Sequence, residues 1–237
     1  DATLVERGEL SGFDIGRIVE AVLGRPEPAL VERAAGNPYL AEELSLAVRD
    51  GDDPSSLPLT VEGAVLARLD KLSADEKDLL KRAAVLGRRF WREALEALGE
   101  PLAGKLLMRL RQRELVIPRP DSRLHGCEEW IFRQAIVYEV CAGLLTDEQR
   151  RSLHRAAAGW LSRRADASAE EVARHFEAAE EAGRAVLWWL RAVHGAHARG
   201  ESRNVCHFAE RVLALGEPAH LPAAEALSMH LLRCEAW

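Results

Sequence analysis

Residues 101–117, PLAGKLLMRLRQRELVI, change their hydrophobic spacing within one stretch and thereby decide the fold. From Pro101 to Glu114 the leucines recur at helical spacing, whereas Leu115-Val116-Ile117 is a short apolar run typical of a strand. Two prolines close that run, the polar segment DSRLHGCEE follows, and Glu129–Phe132 can return as a second strand. A helix that leads into a two-stranded hairpin is typical of a winged helix.

Two further helices precede this stretch. Ser73 and Glu76 have the spacing of a capping box, which begins a helix that Gly87 can end. A second helix fits about Trp91 to Leu98, and a closing helix follows the hairpin. Together these elements predict a winged-helix domain over residues 73–145.

The segment before residue 73 predicts a small helical domain over residues 1–72. One helical stripe is followed by a short helix from about Glu27 to Ala35. In Gly36-Asn37-Pro38, asparagine is a good N-cap and proline a good first helical residue, so a third helix begins there and ends at Asp50-Gly51. Thr60 can cap a fourth helix.

Residues 146–237 predict a helical linker followed by paired helices. Thr146 and Gln149 form a second capping-box pattern, and four helices then follow one another through short turns. Residues at the packing positions of a tetratricopeptide-like hairpin are Ala185, Trp188, Trp189, Ala192, Ala196, Ala209, Val212 and Leu213. Because such arrays need at least three repeats and only about two hairpins are present, we expect the array to be truncated.

Composition limits the function class. The 237 residues include 32 Lys and Arg against 38 Asp and Glu, a formal net charge of -6, which argues against a general nucleic-acid or membrane-surface binder. The four cysteines form no CxxC pair, and no apolar run approaches the roughly 20 residues of a membrane span. We therefore expect a mainly α protein of the cytoplasm with reduced thiols.

The motifs of common enzymes are missing from the sequence. It contains no GxxxxGK[ST], GxGxxG, GxSxG or HExxH, so this segment is not expected to be an enzyme on its own. His194 and His197 share a helical face, but neither a cysteine nor a carboxylate completes a ligand set with His207, and no metal site is predicted. Three helix carboxylates are interpreted as solvated, namely Glu42, Glu43 and Asp70.

The helix from Pro101 to Glu114 occupies the recognition position of a winged helix and is basic. Its polar residues, of the kinds that contact phosphates and base edges in DNA-binding proteins, are Lys105, Arg109, Arg111, Gln112 and Arg113. The alternative function is therefore a winged-helix transcription regulator with a helical effector or dimerisation domain. An ordinary charged surface is the other interpretation, because the acidic balance of the chain opposes phosphate approach.

Four stretches occur in an order that resembles one protein family. They are AAGNPYLAEEL (34–44), LPLTVEGAVLARLDKLSADEKDLLKRAAVLGRRF (57–90), WIFRQAIVYEVCAGLLTDEQRRSLHRAAAGWL (130–161) and ARHFEAAEEAGRAVLWWLRAVHGA (173–196). The family is the STAND class of signal-transduction ATPases, AAA-type proteins that bacteria fuse to adenylate cyclases, protein kinases or LuxR-type transcription regulators. The resemblance implies a helical lid, a winged helix and the start of a tetratricopeptide-like sensor array, with the phosphate-loop core before residue 1.

The resemblance also implies where a nucleotide would bind. A GxP-type turn in that family packs its proline against the adenine of ATP or ADP, which implies this role for Gly36-Asn37-Pro38. Glycine lets the backbone come close, and proline offers a rigid apolar face without an N–H. Gln134 occupies the place of a family histidine that senses the phosphates. Because glutamine carries no charge, phosphate sensing is weaker here or passes to Arg133.

The expected function is thus that of a regulatory segment. The lid and the winged helix would close on ATP or ADP held by the core of the parent ATPase, and the helical repeats would bind a protein or a small-molecule inducer. An oligomer can form on activation, whereas a nucleic-acid or membrane partner is not expected. A plain helical interaction array without a hairpin is the third interpretation.

Overall fold

The computed structural model describes residues 9–216 and 222–235. Of these residues 67% are helical, and they include a small three-stranded antiparallel sheet, which confirms the predicted mainly α class with a small hairpin. Residues 1–8 of the predicted first domain and residues 217–221, 236 and 237 of the predicted array lie outside the described residues, as does the thiol of Cys234.

The elements are numbered in chain order within the described residues. The helices are α1 Gly12–Leu23, α2 Pro28–Ala34, α3 Pro38–Arg49, α4 Val61–Asp70, α5 Ala74–Leu86, α6 Arg92–Ala97, α7 Ala103–Gln112, α8 Ala135–Gly143, α9 Asp147–Leu161, α10 Ala169–Ala178, α11 Ala182–Ala198, α12 Ser202–Gly216 and α13 Ala223–Glu235. The strands are β1 Arg89–Trp91, β2 Val116–Pro118 and β3 Glu129–Phe132, and Pro54–Ser56 forms a 3₁₀ turn.

The chain forms two compact units. Within the described residues, unit 1 comprises residues 9–77 and 134–140, and unit 2 comprises residues 78–133, 141–216 and 222–235. In unit 1, helices α1 to α4 bury one apolar face each, as amphipathic helices do. The core formed in this way contains Ile15, Val19, Leu30, Ala34, Leu40, Ala41, Leu44, Ala47, Leu57 and Ala64.

Side-chain caps fix the helix starts of unit 1. The Asn37 side chain accepts hydrogen bonds from the backbone N–H groups of Tyr39 and Leu40, and Thr60 caps α4 in the same way. Ser73 and Glu76 form both reciprocal bonds of a capping box ahead of α5. These caps confirm the predicted helix starts, because a cap depends on residues within one turn of each other.

The sheet of unit 2 has the order β1-β3-β2, with both pairings antiparallel. The predicted hairpin of β2 and β3 is present, with Ile117 opposite Ile131. Strand β1 was not predicted. The helix predicted at about Trp91 to Leu98 is present as α6, which begins at Arg92 because Trp91 has extended backbone angles and pairs with Glu129.

Helices α9 to α13 follow one another in unit 2, and neighbours along the chain pack in turn. Thr146 and Gln149 form the predicted capping box at α9. Of the predicted packing positions, Trp188 and Leu213 are half-buried, and the other six are buried. None of the helices in the described part of the chain has both the length and the apolar character that a membrane span requires.

Candidate functional site

The turn Gly36-Asn37-Pro38 leads the chain from α2 into α3. Gly36 has a φ of 78°, and its carbonyl oxygen accepts a hydrogen bond of 3.0 Å from the backbone N–H of Leu10. A Cβ atom at Gly36 would lie 2.7 Å from the Cβ of Glu9, closer than two such atoms can approach. Glycine is therefore needed here for contact with the chain's own residues 9 and 10.

The other two residues of the turn differ in what they offer a ligand. Asn37 is exposed, but its side-chain oxygen is used in capping α3. Pro38 is half-buried, and the next residue, Tyr39, is 60% exposed. The turn therefore presents a proline ring next to an accessible aromatic side chain. Sequence reasoning missed Tyr39, although an aromatic residue beside a candidate adenine contact is a usable signal.

Gln134 contacts α3, the helix that the turn begins. Its side chain is 9% exposed, and its Nε2 donates a hydrogen bond of 2.9 Å to Oε2 of Glu42. A carboxylate only accepts, so this contact fixes the orientation of the amide. Glu42 comes one helical turn after Pro38, and residues at that spacing share a face. The structure thus brings Gln134 to the helix that Pro38 begins.

The surroundings of Gln134 disfavour contact with a phosphate. One of its two N–H groups is given to Glu42, and the negative charge of that carboxylate would repel phosphate oxygens. Its Oε1 is buried and has no hydrogen-bond partner among the described residues. The contact instead ties the start of α8 to the middle of α3.

Arg133, the neighbour of Gln134 in sequence, belongs to unit 2. Its guanidinium pairs with Glu114, and its backbone N–H donates a hydrogen bond of 3.0 Å to the carbonyl oxygen of Leu115. Of the residues predicted to contact nucleotide, Gly36, Asn37, Pro38 and Gln134 lie in unit 1, and Arg133 does not.

Glu43 is not a solvated carboxylate, and this interpretation is wrong. Its side chain is 1% exposed and accepts a 2.5 Å hydrogen bond from Nη1 of Arg68, itself 4% exposed. Oε1 of Glu43 has no hydrogen-bond partner among the described residues. A sequence signal existed, because Glu43 lies three residues after Leu40 and four before Ala47, on the buried stripe of α3.

The basic face of α7 is open to solvent. Leu106, Leu107 and Leu110 are buried as expected. Lys105, Arg109, Arg111, Gln112 and Arg113 are all exposed. Lys105, Arg109 and Arg111 form no ion pair with any residue that the structure describes. Leu102 and Met108 interrupt the charges and are 57% and 48% exposed.

The loop between β2 and β3 is held by charges of unit 2. The buried carboxylate of Glu129 lies 3.2 Å from Arg119 and 3.7 Å from Arg123, and it accepts a 2.9 Å hydrogen bond from the backbone N–H of Arg123. At His125, later in the loop, the backbone N–H donates a hydrogen bond to Asp166, and the backbone carbonyl oxygen of His125 accepts one from Arg164. These contacts fix the loop, which contains none of the predicted DNA contacts.

A histidine pair joins α9 to α10 and was not predicted. Nδ1 of His154 lies 2.8 Å from Nδ1 of His175, so one ring donates and the other accepts. Burial lowers the pKa of His154 to about 4, with a smaller contribution from Arg150. Burial also lowers the pKa of His175 to about 3, and His154 and Arg174 lower it by smaller amounts. The pair is therefore neutral at pH 7.

The predicted histidines and cysteines take separate places. His194, His197 and His207 are exposed, and the described residues contain no group of three or more His, Cys, Asp or Glu side chains placed to hold a metal ion. Among the described thiols, Cys141 is buried, and burial raises its pKa to about 12. Such a thiol is a poor nucleophile.

Comparisons of the chain with protein-family models, with curated proteins and with solved structures found no match.

Proposed function

We propose that this chain is a regulatory segment of a cytoplasmic, nucleotide-switched signalling ATPase of the STAND kind. Residues 1–72 act as the helical lid and residues 73–145 as the winged helix, and both close on ATP or ADP held by a core elsewhere in the parent protein. The repeats that follow bind a protein partner or a small-molecule inducer. The segment itself does not hydrolyse ATP.

The contact between Gln134 and Glu42 carries this proposal. The resemblance alone implies nucleotide contacts in two segments separated by about ninety residues. Gly36-Asn37-Pro38 and Gln134 belong to unit 1, and one face of α3 carries Pro38 and the partner of Gln134. A plain helical array offers no reason for such a meeting, whereas a lid completed by the segment after the hairpin requires one.

The geometry favours different roles for the two motifs. Pro38, with the exposed ring of Tyr39 beside it, offers an apolar surface to an adenine base. Gln134 acts as a positioning residue that ties α8 to the lid through Glu42. A switch of this kind works only if the nucleotide contacts one arrangement better than the other, since only differential contacts shift the population.

The test measures binding of a fluorescent ADP analogue to the full-length protein encoded by the gene. Pro38→Ala should weaken binding about tenfold, as expected when a ring-sized apolar contact is lost. Pro28→Ala is the matched control, because Pro28 also lies at the first position of a helix. Equal affinities of the two variants would contradict the adenine contact. ATP turnover by the purified 237-residue chain that Pro38→Ala abolishes would contradict the whole proposal.

A second candidate function is DNA binding through α7. The observation in its favour is that Lys105, Arg109 and Arg111 are exposed without ion pairs in the described part of the chain, as phosphate-contacting residues must be. The exposed Met108 between them and the net charge of -6 oppose it.

A gel-shift titration at several salt concentrations separates the two functions. If α7 binds DNA, affinity falls steeply with salt, and Lys105→Ala or Arg109→Ala reduces the slope by about one. Arg203→Ala, an exposed arginine on α12, serves as the control. Absence of binding at low salt leaves α7 as an ordinary charged surface.

A further inference from the structure

A cavity of about 380 Å³ lies among α10, α11 and α12 in unit 2. Its volume falls within the range of about 300 to 1,000 Å³ that is usual for small-ligand sites. The lining residues are Arg174, Glu177, Ala178, Trp189, His207 and Arg211. None of these belongs to the predicted nucleotide or DNA contacts.

The wall of the cavity is fixed by a buried tryptophan. Trp189 is 2% exposed, and its indole N–H donates a hydrogen bond of 2.9 Å to Oε2 of Glu177. The ring of Phe208 packs against it at 5.4 Å between centroids. The other carboxylate oxygen of Glu177 pairs with Arg211. Both oxygens of Glu177 are thus occupied by the protein, and this carboxylate is not free to bind a cationic ligand.

The polar groups of the cavity are mainly N–H donors. Arg174, His207 and Arg211 line it, and the one carboxylate of the lining, Glu177, pairs with Arg211. Glu170 pairs with Arg174 but lies one turn away, outside the lining. His207 is exposed and makes no hydrogen bond or ion pair with the residues that the structure describes. An arginine in an ion pair keeps N–H groups that its carboxylate partner does not use, so the two arginines and His207 together offer several donors to an anion, whereas both oxygens of Glu177 are taken.

We propose that this cavity binds a small organic carboxylate with an apolar body. Arg174, His207 and Arg211 hold the carboxylate, and the body lies against Ala178 and the edge of Trp189. A monoanion suits the site better than a phosphate dianion, because Glu170 and Glu177 already balance the charges of the two arginines. The inference rests on the proposed function, since it makes this cavity the inducer site of the helical repeats.

Isothermal titration calorimetry on the whole 237-residue chain tests the site with three probes. These are 3-phenylpropionate, its uncharged amide, and inorganic phosphate. We expect 3-phenylpropionate to bind at least about tenfold more tightly than either of the others, since only it combines charge-assisted hydrogen bonds with an apolar contact. Equal binding of the amide would overturn the role of charge, and equal binding of phosphate would overturn the role of the apolar body.

Variants then locate the site. Arg174→Gln and His207→Gln should each weaken binding of 3-phenylpropionate about five- to tenfold, the effect of losing one charge-assisted hydrogen bond. Both side chains are exposed, so these variants should fold. Arg203→Gln, on the exposed side of α12, is the matched control. No binding to the wild-type chain, or the same affinity in all variants, would overturn the proposal.

The outcome is separable from that of the nucleotide test. Pro38→Ala reports on unit 1 and a fluorescent ADP analogue, whereas these variants report on unit 2 and a carboxylate. Carboxylate binding without any change in nucleotide affinity of the full-length protein would keep the site and overturn its role as an inducer site. Loss of nucleotide binding in Pro38→Ala with no carboxylate binding would keep the proposed function and overturn the cavity.

Discussion

Gly36 shows how a missing side chain brings two segments together. The carbonyl oxygen of Gly36 bonds to Leu10, and a Cβ atom at Gly36 would collide with the side chain of Glu9. Gly24 has a similar φ of 72°, but no atom lies within 4 Å of the place where its Cβ would be. Comparing the two glycines therefore separates the cost of backbone strain from the cost of close packing.

We expect Gly36→Ala to destabilise the protein more than Gly24→Ala does. Both variants lose about 1–2 kcal/mol because alanine is strained at positive φ. Gly36→Ala adds the cost of overpacking against Glu9, roughly 1–3 kcal/mol. Urea denaturation gives the free energy of unfolding of each variant. Equal losses would show that the segment at Glu9 moves away freely.

The buried pair of Glu43 and Arg68 gives a second prediction for single residues. Arg68→Met leaves the carboxylate of Glu43 buried without its partner and should cost about 3–5 kcal/mol of unfolding free energy. Lys71→Met is the control, because the pair of Lys71 and Asp52 is partly exposed and such pairs contribute about 0–1 kcal/mol. Thermal or urea unfolding measures both. A small effect of Arg68→Met would mean that water reaches Glu43.

Local rules predicted single residues well where the partner is near in sequence. The caps at Asn37, Thr60 and Ser73 each satisfy backbone N–H groups within one turn, so the sequence contains all the information needed. Glu43 was misread because its partner, Arg68, lies on the next helix. The position of Glu43 on the stripe was visible, but only the partner explains why a charge is tolerated there.

At the scale of elements, periodicity found the helices and the hairpin but missed β1. Residues 89–91 are too few to show an alternation, and the strand exists only because it pairs with β3, about forty residues later. The contact of α9 with α10 was likewise hidden. His154 and His175 lie on different helices, and no spacing rule relates them.

The histidine pair predicts that the packing of α9 on α10 weakens in acid. Both pKa values in the folded protein, about 4 and about 3, lie below the value of 6.5 expected for an exposed histidine. Below pH 6.5 the unfolded chain therefore binds protons that the folded chain does not, and stability falls as pH falls toward about 4. The loss is roughly 2 kcal/mol per histidine at pH 5.

Melting temperatures between pH 7.5 and pH 4.5 measure this effect. The double variant His154→Gln/His175→Gln should have a flatter profile than the wild-type chain. His194→Gln, at an exposed position of α11, should keep the wild-type profile. A double variant that loses stability as steeply as the wild type would assign the acid sensitivity to other groups.

For the whole molecule, the division into two units predicts which helices lose stability when one residue of a unit is substituted. Arg68 lies in unit 1, and so do residues 134–140, although the sequence of unit 2 separates them. Locally cooperative units open together in hydrogen exchange. In Arg68→Met, we expect faster exchange in α1 to α4 and in residues 134–140, with no change in α10 to α12. Equally accelerated exchange throughout would mean that the chain opens as one unit.

The candidate site was only partly predictable at this scale. The resemblance identified Pro38 and Gln134, and both lie in unit 1, but it also grouped Arg133 with them. Arg133 instead pairs with Glu114, because the chain passes from one unit to the other between residues 133 and 134. The cavity of α10 to α12 had no sequence signal beyond the repeat pattern, since its lining residues come from three helices.

The return of residues 134–140 to unit 1 has a consequence for inheritance and for protein engineering. Val137 is 1% exposed, and Gln134 holds Glu42, so a recombinant fragment that ends at Lys77 would lack part of its own interior. A single crossover after Lys77 would pass on an incomplete unit. We therefore expect the first 140 residues to be exchanged between genes as one block, and a soluble fragment of unit 1 to require a linker that joins Lys77 to Gln134.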